Sequence, residues 1–578
     1  MINEITFLGK IIRVDSGTVE AELSEKIPSA APIINGRLYK IGQIGTFVKI
    51  PIGNITIYGI VAAVSNTPSK MPDQPNVTAL GSRYLTIQLV GEKMGDGLFE
   101  KGVGTYPTIN DEVHIVVEKD LFDIYGQKDA GAIPIGKHSS SENLEVNVDI
   151  NKLVLRHTAI LGSTGSGKSN TTVSILKAIL NGYPGSRIIL VDRHGEYSTA
   201  FPSAKVFRIN DTKHPLYIPF WLMTFEELAY FLFGATNKDD QKPEYRRLRE
   251  LVVERKKANL KKLKAGPINP NLVTADSPIP FDIRELWYHM YWWMNASFSE
   301  TVLEKQTEKT ACVESPGDFN KLEPPTFKPY AIGSSAPYKS KHFQEFFAYE
   351  KKLIGRLRDT GYDFMFHAGE YKDANKKDLH DLLNDWIGGD DRLVILDLSG
   401  VPFMILDITV GLITRFIYDS MFWGRNEAYT GRNRPLLLAF EEAHSYLDKS
   451  EDNHYAKEAV ERIFKEGRKF GIGALIISQR PSEISTTILA QVGTFIALRL
   501  SNSSDQSIVK SSAPDNLVSL IDLLPSLRTG EALIVGEAIK IPSRVRIELN
   551  SPRPSSEDPQ GPCQLSGCKF GSMGVVWF

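Results

Sequence analysis

The sequence predicts an α/β protein: a core of largely parallel strands alternating with helices, preceded by an all-β segment and interrupted by a helical insertion. Three observations carry this. From residue 151 onward, short and nearly uninterrupted apolar runs alternate with helix-prone stretches, the pattern of a parallel sheet covered on both faces. Residues 1–150 read instead as short β-branched runs separated by Gly, Pro, Asn and Asp. Between an apolar run and a helix-prone one, residues 162–169 spell GSTGSGKS, the strand–loop–helix setting of a phosphate-binding loop.

In chain order, IIRVDSGTVEAEL, GTFVKIPIGNITIYGIVAAV, SRYLTIQLVGE and DEVHIVV make residues 1–150 a small barrel or sandwich. Nothing in that segment reads as catalytic; it suits assembly or partner contact, or simply stabilises the N-terminal end. Core strands are expected at His157–Leu161, Arg187–Val191, Leu393–Asp397, Leu436–Phe440, Ala474–Ser478, Thr494–Leu498 and Ala532–Val535, so the core comprises 151–219 and 391–550. The stretch between them, 220–390, is rich in helix formers and aromatics (FEELAYFLFGA, FDIRELWYHMYWWM) and is too long to be a loop, which predicts an inserted helical domain. Within it, the Pro-, Gly- and Ser-rich residues 308–340 are expected to be irregular. Residues 551–578 are expected to form a flexible tail, although its aromatic end VVWF is suited to docking.

Composition narrows the function classes. A chain of 578 residues exceeds one core. No apolar run approaches the ~18 residues of a membrane span, and MINEITFLGK is no secretory leader. Three cysteines point to a reducing compartment, hence a cytoplasmic protein, and Cys312, Cys563 and Cys568 do not make a zinc site. A net charge of −2 excludes a broadly basic coat, so any nucleic-acid contact must use locally gathered cations. The stretch 246–264 holds nine Lys/Arg against two Glu, which fits phosphate contact but equally a solvated helix face.

In the phosphate loop, Gly162, Gly165 and Gly167 free the backbone to curl its N–H groups, with those of Ser163, Thr164 and Ser166, around an anion. The helix that follows points its positive end the same way, and Asn170 lies in its first turn. Lys168 reaches the β/γ-phosphates, and the Ser169 hydroxyl ligates Mg²⁺. The alternative is a glycine-rich turn with an exposed lysine.

RPLLLAFEEAHSYL at 434–447 places Glu441 and Glu442 at the C-terminal end of a buried strand, the edge where open α/β sheets bind ligands. Glu441 would hold the magnesium shell and Glu442 would polarise the attacking water; the competing reading is a solvated acidic pair at a helix start. In ILVDRHGEY, Asp192 ends a strand with Arg193, His194 and Glu196 in the turn, and either assists the metal or caps the turn. Gln479 ends another strand and can sense a γ-phosphate by hydrogen bonding. Lys465, Arg468 and Lys469 lie between a helix and that strand, where a cation can reach a neighbouring subunit's nucleotide or merely balance a helix dipole. Arg499 is the rival for the first of those roles.

Together GSTGSGKS, VDRHGEY, LDLSGVP, LLLAFEEAHSYL, EGRKFGIG, ISQRP and RTGEALIVG, in this order, resemble the HerA branch of the HerA/FtsK ATPases. The resemblance implies a RecA-like P-loop motor core, an N-terminal β-barrel, and a homohexameric ring that threads double-stranded DNA and steps it by hydrolysing ATP with Mg²⁺. It also implies a nuclease or sirtuin-like effector as partner, in DNA end processing or antiphage defence. Carried over by motif, Lys168 and Ser169 are the phosphate and metal residues, Glu441 and Glu442 the acidic pair, Gln479 the sensor and Arg468 the finger acting in trans. Arg193 stands where proline is common and Glu441 where aspartate is. Two other readings stay open: an ATP-gated scaffold that activates an effector with little translocation, and a small-molecule NTPase or kinase.

Overall fold

The computed structural model describes residues 6–24, 43–66, 82–125, 131–234 except 140 and 142, 242–263, 268–331, 335–512 except 429 and 450–454, and 518–555, with two short strand pairs at 33–38 and 69–79. Cys563, Cys568 and the VVWF end lie outside these residues.

Strands β1 (Phe7–Val14), β2 (Thr18–Leu23), β3 (Phe47–Ile52), β4 (Ile55–Asn66), β5 (Arg83–Met94), β6 (Phe99–Lys101) and β7 (Glu112–Ile115) are ordered β6-β5-β2-β1-β7-β3-β4. A further β4–β5 pairing closes six of them into an antiparallel barrel. The period-2 pattern explains the closure: in TVEAEL, Val19, Ala21 and Leu23 point inward while Glu20 and Glu22 remain half-buried on the other face. Ile11, Ile50, Ile57, Ile87 and Val113 fill the interior. At Gly9 a Cβ would come within 1.9 Å of the Glu22 carbonyl oxygen, so only glycine fits where β1 and β2 press together.

The motor sheet has eleven strands. A hairpin, β8 (Ala132–His138) and β9 (Glu145–Asp149), precedes β10 (Thr158–Leu161), β11 (Ile188–Asp192), β12 (Lys205–Arg208), β13 (Leu393–Asp397), β14 (Leu436–Phe440), β15 (Ile472–Ser478), β16 (Thr494–Ala497), β17 (Glu531–Gly536) and β18 (Ser543–Arg546). Their spatial order is β9-β8-β18-β17-β16-β10-β15-β14-β11-β13-β12. From β16 to β12 all pairings are parallel; β17, β18, β8 and β9 extend the sheet antiparallel.

Each of the seven runs expected as core strands lies largely on a strand, but Ala532–Val535 runs antiparallel to β16 rather than joining the parallel set. Its residues are as buried as those of the parallel strands, so apolarity alone carries no sign of direction. The edge strand β12 (KVFR) was not expected, because edge strands need not be apolar. The β8–β9 hairpin draws residues ahead of 150 into this sheet through β8–β18 pairing.

Between β12 and β13 lie helices α2 (Phe225–Phe233), α3 (Pro243–Ala258), α4 (Ile283–Asn295) and α5 (Phe347–Leu357). A capping box of Thr224 and Glu227 starts α2, and the Asp282 side chain starts α4. Leu228, Leu248, Trp287 and Leu353 belong to the same buried cluster as the sheet, so the insertion shares its core with the motor. Residues 308–340 form only 3₁₀ turns and two- or three-residue strands where described.

Half of the described cations of the basic stretch 246–264 are engaged within the fold. Arg247 pairs with Glu250 and Glu254, Arg249 lies over the Phe225 ring, and Arg255 meets His289 and Glu285. Lys256, 1 % exposed, donates to the carbonyls of Ala275 and Ser277 at 2.5 and 2.7 Å. Burial pushes its amine down to about 7. Arg246, Lys257, Lys261 and Lys262 remain exposed. No helix among the described residues is long and apolar enough to cross a membrane.

Candidate nucleotide site

The parallel strands end together, and the site is built along that edge. From the end of β10 the loop 162–167 turns into helix α1 (Lys168–Gly182), with Gly165 at φ +71° and Gly167 at φ +100°. These are backbone angles that glycine adopts without strain. Gly162 is needed for space, since a Cβ there would lie 2.6 Å from Ser166 Oγ and 2.9 Å from Leu498 Cβ. The loop is braced from outside: Ser163 N and Oγ both donate to the Arg499 carbonyl, the backbone carbonyl of Ser166 accepts from Gly530 N, and Thr529 Oγ1 reaches the Gly165 carbonyl.

Lys168 Nζ donates to Glu442 Oε2 at 3.1 Å, with both side chains about one-tenth exposed. Glu442 has φ +48°, a left-handed conformation that costs a non-glycine residue about 1–3 kcal/mol and aims its carboxylate at the loop. Glu441, 2 % exposed, accepts from Arg193 N at 3.2 Å. Burial, and then the neighbouring Glu442 charge, raises the Glu441 carboxyl well above the usual range. Carboxylates crowded this way call for a cation. His194, Glu441 and Glu442 each offer a ligand atom within 4.8 Å of the others; the two carboxylates are oxygen donors that suit Mg²⁺, whereas the imidazole nitrogen does not favour it.

The other expected residues distribute as follows. Thr164 Oγ1 donates to Gln479 Oε1 at 2.7 Å, bringing the sensor candidate onto the loop. Ser169 Oγ donates to Glu196 Oε2 at 3.2 Å. Asp192 caps the turn: its carboxylate accepts from the N–H groups of His194, Gly195, Glu196 and Tyr197 at 2.9–3.3 Å. Burial nevertheless raises its carboxyl to about 6. The Asn170 side chain faces away from the loop, donating to the Glu548 carbonyl and accepting from Asn550 N, both at 2.9 Å.

Lys465 pairs with Glu461 one helical turn back, as a solvated helix end does. Arg468 and Lys469 are exposed in the turn Gly467–Phe470, which precedes β15 and so lies at the opposite end of the sheet from the loop. The seven residues of β15 separate the two edges by about 23 Å. Arg499 instead follows β16 at the same edge as its own phosphate loop.

Three features were not foreseen. Glu196 holds Ser169, a partner that the turn DRHGEY does not reveal in sequence. His444 Nδ1 lies 3.4 Å from Glu442 Oε2 and 3.2 Å from Ser478 Oγ. Residues 548–555 run along α1 and the turn after β11: Asn550 Nδ2 donates to Ser174 Oγ at 2.7 Å, and Ser555 N donates to the Glu196 carbonyl at 2.9 Å. The sequence carries no periodic signal for such an extended strap.

The family description "Helicase HerA, central domain" matches residues 133–417, and "Helicase HerA-like C-terminal" matches 429–559. The chain belongs to the HerA helicase family. Like other HerA helicases it is a P-loop ATP hydrolase of the helicase type. It is 29% identical over 453 residues to the DNA double-strand break repair helicase HerA of Sulfurisphaera tokodaii, covering 78% of this chain and 76% of that one. The Pyrococcus furiosus protein of the same name is 26% identical, covering 80% and 77%. Among solved structures, VirB4 of Thermoanaerobacter pseudethanolicus aligns with a TM-score of 0.46 and 17% identity, over 73% of this chain and 97% of that one.

Proposed function

We propose that this HerA-family ATPase is a Mg²⁺-dependent translocase on double-stranded DNA that works as a homohexameric ring with a nuclease or sirtuin-like effector, in DNA end processing or antiphage defence. The observation that carries the reading is the separation of parts. The phosphate loop, Lys168, Glu441, Glu442 and Gln479 share one edge of the sheet. Arg468 is exposed at the other edge, its guanidinium without a hydrogen-bond or ion-pair partner among the described residues. A head-to-tail arrangement of copies would bring one copy's Arg468 to the next copy's nucleotide, and such an arrangement makes a ring when its rotation closes. An arginine supplied in this way stabilises charge on the transferring phosphoryl group.

In this reading Lys168 binds the β/γ-phosphates, Glu442 accepts the proton of the attacking water, and Gln479 reports the γ-phosphate to the end of β15. Ser169 and Glu441, with Glu196 close by, would hold Mg²⁺, which neutralises phosphate charge when bound. DNA contact is to the backbone and so largely independent of sequence; in a ring, one cation per copy repeats around the pore. The similarity to DNA double-strand break repair helicases favours end processing.

The test is ATPase activity of the full chain with and without linear duplex DNA, alongside displacement of a protein roadblock from that duplex and mass measurement in solution. DNA-stimulated turnover by a hexamer that clears the roadblock supports the reading. Full-speed hydrolysis by a lone subunit that ignores DNA overturns it. Effector activation that survives Glu442→Gln would instead favour a scaffold.

A further inference from the structure

Among the described residues, Glu442 Oε2 makes ion-pair contacts with Lys168 Nζ at 3.1 Å and His444 Nδ1 at 3.4 Å. The first cannot keep that place during turnover, because Lys168 is the residue that must reach the phosphates. Once it leaves, His444 at 3.4 Å is in place to orient the carboxylate, while a ring nitrogen of His194 lies within 4.8 Å of it. His444 is itself held. Ser478 Oγ lies 3.2 Å from the same Nδ1 and accepts from Arg480 N at 3.1 Å. A carboxylate oxygen can only accept, so the tautomer with hydrogen on Nδ1 is the one that can donate toward Glu442, sharing that single hydrogen with the Ser478 hydroxyl oxygen.

Ser478 is the last residue of β15, paired in register with Leu161, and Gln479 follows it directly. Gln479 is bound to Thr164 of the phosphate loop at 2.7 Å. The chain Thr164–Gln479–Ser478–His444–Glu442 therefore joins the loop that meets the γ-phosphate to the carboxylate that meets the water.

We propose that His444, anchored by Ser478, is a positioning residue that holds Glu442 in its water-activating orientation after Lys168 has moved onto the phosphates. The proposal rests on Glu442 acting as the base, and it assigns His444 no contact with substrate. Rigidity is part of the argument: Glu442 sits in a left-handed conformation at φ +48°, Ser445 Oγ ties down its carbonyl at 2.8 Å, and the Tyr446 hydroxyl ties down that of Glu441 at 2.7 Å. With the backbone fixed, the free variable is the carboxylate's own rotation, and a single donor on Oε2 sets it. Misplacement of a reacting group by about 1 Å costs on the order of 100-fold in rate.

The experiment uses the full chain with Mg²⁺, ATP and duplex DNA, comparing Glu442→Gln, His444→Ala, His444→Asn, Ser478→Ala and the His444→Ala/Ser478→Ala double variant. Expected for His444→Ala is a fall in kcat of about 100-fold with binding of a fluorescent ATP analogue and melting temperature close to those of the parent. His444→Asn keeps an N–H within reach and should recover much of the loss. Ser478→Ala should fall part-way, and the double variant should be no slower than His444→Ala, since both act through one contact. Unchanged kcat in His444→Ala overturns the proposal, as does a double variant whose losses multiply, or an asparagine as impaired as alanine with a lowered melting temperature. Turnover surviving in Glu442→Gln is a different failure, that of the base assignment itself.

Discussion

Lys168 and Glu442, which lie 274 residues apart in the chain, share an ion pair of 3.1 Å in which each side chain is about one-tenth exposed. The two groups whose separate contacts with phosphate and water would drive hydrolysis are thus engaged with each other. Each neutralises the other. In the proposed mechanism an arriving phosphate chain would take the ammonium and release the carboxylate, so that binding and base activation would become one event.

Lys168→Ala should therefore do two things. It should abolish nucleotide binding or turnover, and it should leave Glu442 buried with its charge uncompensated, a destabilisation on the order of 3 kcal/mol for a broken buried pair. Adding Glu442→Gln removes that charge and should return most of the lost stability without returning activity. Melting curves of the two single variants and the double variant check this, and additive losses would count against the pair.

Arg468→Ala should retain ATP binding and assembly and lose hydrolysis by about 10³-fold or more. Because Arg468 and the phosphate loop occupy opposite edges of the sheet, two dead variants should complement. Mixing Arg468→Ala subunits with Lys168→Ala subunits creates interfaces where an intact finger meets an intact loop, and part of the ATPase activity should return. Wild-type hydrolysis by Arg468→Ala would pass the role to Arg499.

How much of this was legible in the sequence follows from the range of the interactions involved. The phosphate loop and the acidic pair are each encoded by contiguous residues at a strand end, so GSTGSGKS and FEEAH could be read without a structure. The inner strands of the parallel set announce themselves by apolar runs because both of their faces are buried, whereas the edge strand β12 does not. The direction of β17 did not, since an apolar strand can pair either way. Nor did the contacts of Glu196 with Ser169 and of His444 with Ser478, which depend on which strand ends become neighbours in space. Asp192 could be read both ways until the four N–H groups around it were seen.

Asp192 has a pH signature. Its carboxyl is raised to about 6 in the folded protein, from an ordinary value near 3.8. Between these values the folded state binds more protons than the unfolded one, so this residue's contribution to stability declines as pH rises from about 4 to about 6 and is constant outside that window. The decline is on the order of 3 kcal/mol. Asp192→Asn should flatten the stability curve across that window, as read from denaturant unfolding at several pH values. An unaltered curve would mean that the four hydrogen bonds fully offset burial.

The strap formed by residues 548–555 ties the end of the described chain to the site. Asn550 makes four hydrogen bonds to Asn170 and Ser174, on the first turns of α1, at 2.7–3.1 Å. Ser555 donates from its backbone to the carbonyl of Glu196, whose side chain holds Ser169. Asn550→Ala should loosen the strap without opening the sheet, because the bonds it removes lie on the outer face of α1. Hydrogen exchange should accelerate in 548–555 and in the turn 193–199 while β10 and β14 stay protected. Since that turn presents Glu196 to Ser169, the half-saturating Mg²⁺ concentration for ATPase activity should rise by a few-fold while the rate at saturating metal stays near the parent's. Faster exchange confined to 548–555, with the metal dependence unmoved, would show that the strap covers the site without steadying it.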